Sequence, residues 1–162
     1  MFILRVAQVL DDYRVDYAVA GGFAVALHGA VRGTLDVDLV LVQTETNYAR
    51  AEEALHSIGL QARLPVTAKE VCRFRKEYIL KRNMIAWSFY NPNRPSEIVD
   101  VLITRDLRKM KARSIFYGRY RIKILSLQDL IRMKKESNRP QDRADVEALQ
   151  EIRRRHKRGK KK

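Results

Sequence analysis

The strongest constraint on the fold is a pair of aspartates inside an apolar segment. Asp36 and Asp38 interrupt residues 35–42, which otherwise have the composition of a buried β-strand. Residues two apart on a strand point to the same face, roughly 6–7 Å apart. Two neighbouring carboxylates on a core strand repel each other and lose solvation. A divalent cation would remove both penalties, and Mg²⁺, which binds through carboxylates and substrate phosphates, is the expected ion.

The alternative is that the two aspartates lie at the end of a strand, where their carboxylates cap a neighbouring loop. Apolar residues continue as far as Val42. This continuation favours a metal site within the strand over a cap at its end.

A glycine pair upstream predicts the other half of a site. Residues 15–20 are predicted to form a strand and residues 23–28 a short helix, so Gly21 and Gly22 would form the turn between them. A backbone without side chains can approach an anion closely, and the amides at the start of a helix attract phosphate. Alone, the two glycines indicate only a tight turn. Together with the aspartates, they predict a site for a nucleoside triphosphate (NTP) and Mg²⁺.

These motifs resemble the nucleotidyltransferase superfamily related to DNA polymerase β. They are most similar to its AbiEii-type toxin branch and the short stand-alone relatives of that branch. The resemblance covers residues 15–42 and 125–150. The matching positions are Gly21, Gly22, His28, Gly29, Arg32, Thr34, Asp36 and Asp38 in the first segment, and Lys134, Arg139, Asp142 and Asp145 in the second.

The resemblance implies an α/β (α+β) nucleotidyltransferase fold, with a small mixed sheet flanked by helices and further helices at the carboxyl end. It also implies a reaction, the transfer of a nucleoside monophosphate from an NTP, ATP among them, to a hydroxyl with two Mg²⁺ ions bound. The nucleotide-binding residues it implies are Gly21, Gly22, Arg32, Thr34 and Lys134.

Two of these assignments have alternatives in the sequence itself. Lys134 precedes Lys135 and could lie on a solvated helix face. Arg139, Asp142 and Asp145 could form a structural set of ion pairs at the start of a helix.

A third carboxylate completes the implied catalytic set. Asp100 lies in the middle of an apolar segment, residues 97–104, where an uncompensated carboxylate is unfavourable. If this strand pairs beside residues 35–42, Asp100 can face Asp36 and Asp38. The resemblance implies that Asp100 binds metal with them and acts as the catalytic base. Glu97, nearer the turn, is a weaker candidate, and an ion pair between Asp100 and an arginine is the structural alternative.

Charge indicates a polyanionic partner. The net charge is +14, and residues 1–152 retain +6 after the eight basic residues of positions 153–162 are removed. Such a balance is typical of nucleic-acid binding. We therefore expect a nucleotidyltransferase domain over residues 1–152 and a basic, disordered tail over residues 153–162. A tail of this kind can also serve solubility alone.

A second basic region, residues 105–123, carries eight Lys or Arg and one acid. Its pattern predicts a β-hairpin that turns at Gly118, with aromatic residues inward and cations outward. Because arginines bind phosphates and aromatics stack on bases, this hairpin is the predicted acceptor-binding surface. The predicted residues are Arg113, Arg119, Tyr120 and Arg121.

The remaining features set outer limits. Cys72 is the only cysteine, which excludes an internal disulfide and favours a cytoplasmic location. Apolar runs stay shorter than the ~20 residues of a membrane span. Residues 60–82 match no recognisable pattern, and the oligomeric state is left open.

The sequence thus predicts an Mg²⁺-dependent nucleotidyltransferase with RNA, in particular a tRNA 3′ end, as acceptor. The alternatives are a protein or small-molecule hydroxyl, as in toxin–antitoxin or antibiotic-modifying systems, and an RNA-binding module without catalysis.

Overall fold

The computed structural model describes residues 1–159 of the chain, and within them it contains six α-helices and seven β-strands. The helices are α1 (Phe2–Asp12), α2 (Gly21–Leu27), α3 (Glu45–Ser57), α4 (Ala68–Arg82), α5 (Leu127–Ser137) and α6 (Pro140–Gly159). The strands are β1 (Tyr17–Val19), β2 (Val37–Leu41), β3 (Gln61–Ala62), β4 (Ala86–Asn91), β5 (Arg94–Leu102), β6 (Ala112–Tyr117) and β7 (Tyr120–Leu125). A 3₁₀ turn spans Leu107–Lys109.

All seven strands form one mixed sheet in the order β3-β4-β5-β2-β1-β7-β6. The β2–β5 and β1–β7 pairs are parallel, and the other pairs are antiparallel. The predicted small mixed sheet flanked by helices is therefore confirmed. The predicted hairpin that turns at Gly118 forms as β6–β7, and β5 lies beside β2, which is the arrangement under which Asp100 can face Asp38.

The helices begin where side chains can satisfy the free amides of a first turn. Ser126 accepts a hydrogen bond from the Asp129 amide at the start of α5, as the sequence predicts. In α4, Thr67 and Glu70 form a reciprocal capping box. This helix and β3 occupy the stretch of residues 60–82 for which the sequence pattern gave no prediction.

Aromatic side chains fill the core between the sheet and its helices. Tyr17, Tyr48, Trp87 and Phe89 are fully buried. The Tyr48 and Trp87 rings stack with centroids 6.0 Å apart, and Phe89 meets the edge of Trp87 at 4.6 Å. Such ring pairs add to the free energy of area burial, so this cluster gives the sheet a rigid base.

Three boundaries differ from those predicted. Helix α2 begins at Gly21, so both glycines belong to its first turn and not to a preceding loop. Strand β2 begins at Val37, so Asp36 precedes it. Helix α6 continues to Gly159, so residues 153–159 of the predicted disordered tail are helical. Residues 160–162, the rest of that tail, lie outside the described residues.

Among residues 1–159, no helix combines the length and the apolar character that crossing a bilayer requires.

Candidate functional site

A cavity of about 420 Å³ opens where β2 and β5 lie side by side beneath α5. Its lining includes Gly21, Asp38, Asp100, Thr104, Arg105, Leu130, Met133, Lys134, Ser137, Arg139 and Asp142. Two of the three aspartates predicted for catalysis therefore share one cavity with Gly21 and Lys134.

The sheet register brings the two aspartates together. Asp38 of β2 lies directly beside Asp100 of β5 in a parallel pair, and residues paired across strands share a face. The two strands come from distant parts of the chain, so the β2–β5 pairing itself builds the carboxylate pair.

Gly21 packs directly onto the Asp38 side chain. A Cβ atom at position 21 would lie 1.7 Å from Asp38 Oδ2, and the residue has a φ of +57°, which glycine adopts most readily. Gly22 packs in the same way against Thr34, whose Oγ1 would lie 2.8 Å from an added Cβ. Both glycines are therefore required by close packing at the site.

The electrostatics of the pair disfavour two free carboxylates. Burial, followed by repulsion from Asp100, raises the pKa of Asp38 from 3.8 to about 6, and Asp36 adds to the rise. The positive charges of Lys134 and Arg139 oppose this shift only in part. At neutral pH, the negative charge of the pair is therefore only partly compensated by the protein.

Asp36 is placed differently from the prediction. It is exposed and lies one residue before β2, because the strand begins only at Val37. The alternative considered for the sequence, a pair near the end of a strand, thus describes its position better. Within residues 1–159, no group of three or more His, Cys, Asp or Glu side chains is assembled closely enough to hold a metal ion.

The donor set of the pair nevertheless fits a hard divalent cation. Asp38 and Asp100 offer carboxylate oxygens, the ligands that Mg²⁺ prefers, and Mg²⁺ commonly takes its remaining ligands from water and substrate phosphates. Two protein carboxylates are sufficient for such a site, and the exposed Asp36, two residues before Asp38, adds negative charge near it.

Lys134 is buried in a network of ion pairs. Its Nζ lies 2.8 Å from Asp142 Oδ1 and 2.8 Å from Asp145 Oδ2, and its side chain is only 12% exposed. Burial alone would raise the pKa of Asp142, but hydrogen bonds from Lys134 and Ser137 hold it below its usual value. The solvated helix face that the sequence favoured for Lys134 is therefore wrong.

Arg32 and Thr34, both predicted to bind nucleotide, brace the loop between α2 and β2. Arg32 Nε lies 3.3 Å from Asp145 Oδ1, and Thr34 packs on Gly22. Neither residue is part of the cavity lining. A role for them in nucleotide binding stays a prediction.

The predicted acceptor residues lie apart from the cavity lining. Arg121 Nε forms an ion pair with Asp11 Oδ2 at 3.1 Å, and the Arg119 guanidinium lies 5.2 Å from the centre of the Tyr120 ring. Arg113 is 3.3 Å from His28 Nδ1. Arg119 and Tyr120 instead line a separate depression of about 570 Å³ against α1.

Glu97, the weaker candidate for the catalytic base, is occupied elsewhere. It is buried, and its carboxylate accepts hydrogen bonds from Asn91, Arg5 and Arg94 at 2.8, 3.1 and 3.3 Å. Three donors make Glu97 a structural ion-pair centre.

Apart from Lys134, sequence reasoning missed the face of α5 that borders the cavity. Leu130, Met133 and Ser137 line the cavity together with Lys134. Their spacing of three, four and seven residues places them on one face of a helix, a signal that the sequence already contains. Thr104 and Arg105 were also missed, because nothing local indicates that the end of β5 borders the cavity.

The chain was compared with known proteins. A family model described as "Nucleotidyl transferase of unknown function (DUF2204)" matches residues 2–162. A search of curated proteins finds no match.

Among solved structures, an antigenic nucleotidyltransferase-like protein from Paracoccidioides brasiliensis aligns with a TM-score of 0.57 and 20% identity, over 93% of this chain and 73% of that one. The antibiotic-resistance factor ANT(2″)-Ia aligns in solution with a TM-score of 0.58 and 12% identity, over 93% and 80%. Its crystal structure with adenylyl-2″-tobramycin gives 0.56 and 12%, over 91% and 84%. These structural similarities show a shared fold.

Proposed function

We propose, since the chain belongs to the nucleotidyltransferase family DUF2204, that it moves a nucleoside monophosphate from an Mg²⁺-bound NTP to a hydroxyl group of RNA. The observation that carries this proposal is the Asp38–Asp100 pair, set side by side in a cavity that also contains Gly21 and Lys134.

Asp38 and Asp100 would hold Mg²⁺, with Asp36 as a further ligand. When bound, Mg²⁺ neutralises charge on the phosphates and stabilises the attacking and leaving oxygens. A second ion at Asp100 is part of the same proposal.

The side chains of the protein position the reactants. Gly21 leaves room beside Asp38 that any other side chain would fill. Lys134, which lines the cavity, supplies a positive charge for the triphosphate. Asp100 accepts the proton of the attacking hydroxyl, whose oxygen forms a bond to the α-phosphorus. The bond between the α-phosphorus and the bridging oxygen breaks, and pyrophosphate departs with its electron pair. Most catalysis of phosphoryl transfer comes from positioning and charge, which is what these residues offer.

RNA is favoured as acceptor by charge. The chain carries +14 at neutral pH, and a protein of this charge attracts polyanions and repels cations. We infer that a tRNA 3′ end, which presents a free hydroxyl after a run of phosphates, is the most suitable RNA.

A small-molecule acceptor is the second candidate, because two of the aligned structures are of ANT(2″)-Ia, one of them with adenylyl-2″-tobramycin. An aminoglycoside is itself cationic, however, and the strongly basic surface of this chain disfavours it.

The test is a labelling experiment with each α-³²P-labelled NTP, Mg²⁺ and, separately, total tRNA, a protein lysate and tobramycin. We expect label on tRNA, and none on tRNA whose terminal ribose has been oxidised with periodate. Asp38→Asn and Asp100→Asn should abolish labelling. If only protein or only tobramycin were labelled, that molecule and not RNA would be the acceptor. Absence of label on tRNA, protein and tobramycin would refute the proposal.

A further inference from the structure

A second concave surface adjoins the cavity, and we name it the basic groove. It has a volume of about 530 Å³ and lies among α4, the segment after β5, the 3₁₀ turn and α5. Its lining includes Arg75, Thr104, Arg105, Lys109, Arg132 and Glu136.

The basic groove is continuous with the cavity. Thr104 and Arg105 line both, and they follow Asp100 closely on the chain. Helix α5 borders both as well, since Lys134 faces the cavity while Arg132 and Glu136 face the groove. A ligand lying in the groove can therefore extend one end towards Asp100.

The groove carries an excess of positive charge. Its two lining acids already have partners, because Asp106 pairs with Arg108 at 2.6 Å and Glu136 with Arg105 at 2.5 Å. Within residues 1–159, the ion pairs include none for Arg75 or Lys109. Two cations are thus available for an anionic ligand.

Arg75 is the more informative of the two. Its side chain is half-buried, and its Nη1 donates a 3.0 Å hydrogen bond to the Ile103 carbonyl. A guanidinium has five N–H donors, so most of them remain for a ligand. A partly buried arginine without a carboxylate partner is costly unless an anion binds there.

The segment after β5 is held in place before any ligand arrives. Gln43 Nε2 donates hydrogen bonds to the carbonyls of Ile103 and Arg105, at 2.9 and 2.7 Å. Arg75 bonds to the same Ile103 carbonyl from α4. Thr104, between these anchors, is exposed towards both the groove and the cavity. Pre-organisation of this kind lowers the entropic cost of binding.

We propose that the basic groove binds the phosphodiester backbone of the RNA acceptor and directs its terminal hydroxyl towards Asp100. This inference rests on the proposed function. A strand whose end reaches Asp100 lays its preceding phosphates along Arg75 and Lys109, and the guanidinium group of Arg75 can donate two parallel hydrogen bonds to phosphate oxygens. The acceptor surface is then this groove and not the hairpin that contains Arg119 and Arg121.

The experiment measures binding of a fluorescent 12-nucleotide single-stranded RNA to the full chain by anisotropy, from 0.1 to 1 M salt. The test variant is the double substitution Arg75→Gln and Lys109→Gln. The matched control, Arg119→Gln and Arg121→Gln, removes the same charge from the hairpin. Lys109→Gln alone is the second test variant, because an exposed side chain without an ion pair can change without loss of folding.

Each neutralised phosphate contributes roughly 0.7 to the salt slope for a single strand. The groove double variant should therefore lose about 1.4 from the slope, and about 25-fold in affinity at 0.1 M salt if affinities converge at 1 M. Lys109→Gln should lose about half that slope. Binding of Mg²⁺–ATP should stay unchanged in all of them.

A slope that is unchanged in both groove variants, or reduced only in the hairpin control, overturns the proposal. A reduced slope in the groove variants supports RNA binding by the basic groove even if no nucleoside monophosphate is transferred to RNA. The combination of a reduced slope and no transfer would refute only the proposed function.

Discussion

Substituting Asp38 by asparagine should stabilise the metal-free protein, and the gain should depend on pH. The pKa of Asp38 is about 6 in the folded chain, against 3.8 ordinarily. Because the folded state holds this proton more tightly, its stability falls as pH rises from about 4 to above 6. At 1.36 kcal/mol per pH unit, the penalty above pH 6 is ~3 kcal/mol.

Protonated aspartate and asparagine are both neutral and of similar shape, so the variant and the parent should be about equally stable near pH 4. At pH 8, Asp38→Asn should be more stable by up to ~3 kcal/mol, which corresponds to ~1.5 M in the urea midpoint for a slope of ~2 kcal/mol per M. Ionisable groups distant from Asp38 change stability equally in both proteins, so the difference reports the burial of the Asp38 charge together with its repulsion by Asp100 and Asp36.

The assay is urea denaturation without divalent cations at pH 4, 6 and 8. Trp87, the only tryptophan, is buried between Tyr48 and Phe89 and reports unfolding by fluorescence. Asp36→Asn is the matched control. Because Asp36 is exposed, its substitution should change the free energy of unfolding by only ~0.5 kcal/mol or less.

Added Mg²⁺ should reverse the order. A ligand at 1,000 times its Kd stabilises the folded state by ~4.1 kcal/mol, which exceeds the ~3 kcal/mol penalty, and only the parent protein retains both carboxylates. A stability difference that is the same at pH 4 and pH 8, or an Asp38→Asn protein that is less stable at pH 8, would refute the reasoning.

Three further substitutions test the site. Asp100→Ala should abolish transfer but only weaken Mg²⁺–ATP binding measured by calorimetry, because Asp38, Asp36 and the phosphates remain as ligands, and equal loss of ATP binding in Asp38→Asn and Asp100→Ala would leave Asp100 as a metal ligand without a separate role as base. Gly21→Ala should unfold the chain at lower temperature or displace Asp38, since its Cβ would overlap Asp38 Oδ2; unchanged melting and transfer would contradict the packing. Lys134→Met should destabilise folding by about 3 kcal/mol because two buried carboxylates lose their partner. The control Lys135→Met changes an exposed side chain and should leave stability unchanged, and equal urea midpoints for the two variants would disprove the ion-pair network.

Local sequence signals predicted much of the fold. The Ser126 cap and the turn of the β6–β7 hairpin at Gly118 each depend on a few neighbouring residues, and the structure confirms both. The β2–β5 pairing was the condition under which Asp100 could face Asp36 and Asp38, and the structure contains this pairing with Asp100 directly beside Asp38.

Long-range contacts decided what could not be predicted. Lys134 is buried only because α6 returns to place Asp142 and Asp145 against α5, and no periodicity within α5 reveals this. The exposed position of Asp36 follows from where β2 begins to pair with β1 and β5. Propensity rarely fixes such a boundary to within a residue.

Negative charge at the Asp38–Asp100 pair and positive charge in the basic groove lie in separate places, which suits the proposed Mg²⁺ and RNA ligands. Lys134 is nearest to Asp142 and Asp145, so it lowers the pKa of Asp38 only in part. The negative charge of the Asp38–Asp100 pair therefore stays partly uncompensated and favours binding of a cation. In the adjoining basic groove, Arg75 and Lys109 have no acidic partners among residues 1–159.

If Lys134 were free to pair with Asp38, it would satisfy the carboxylates and weaken the attraction for Mg²⁺. If Asp142 and Asp145 were absent, Lys134 would lose the partners that keep its charge buried. Under the proposed function, the carboxylates of α6 would keep Lys134 at the cavity, where its charge could act on a triphosphate, and would keep it paired, so that Asp38 and Asp100 could bind the metal. On this reasoning, Asp145→Asn should weaken Mg²⁺ binding to the metal-free protein, because a less engaged Lys134 competes for Asp38. Calorimetric titration with Mg²⁺ measures this effect, and tighter Mg²⁺ binding in the variant would contradict the argument.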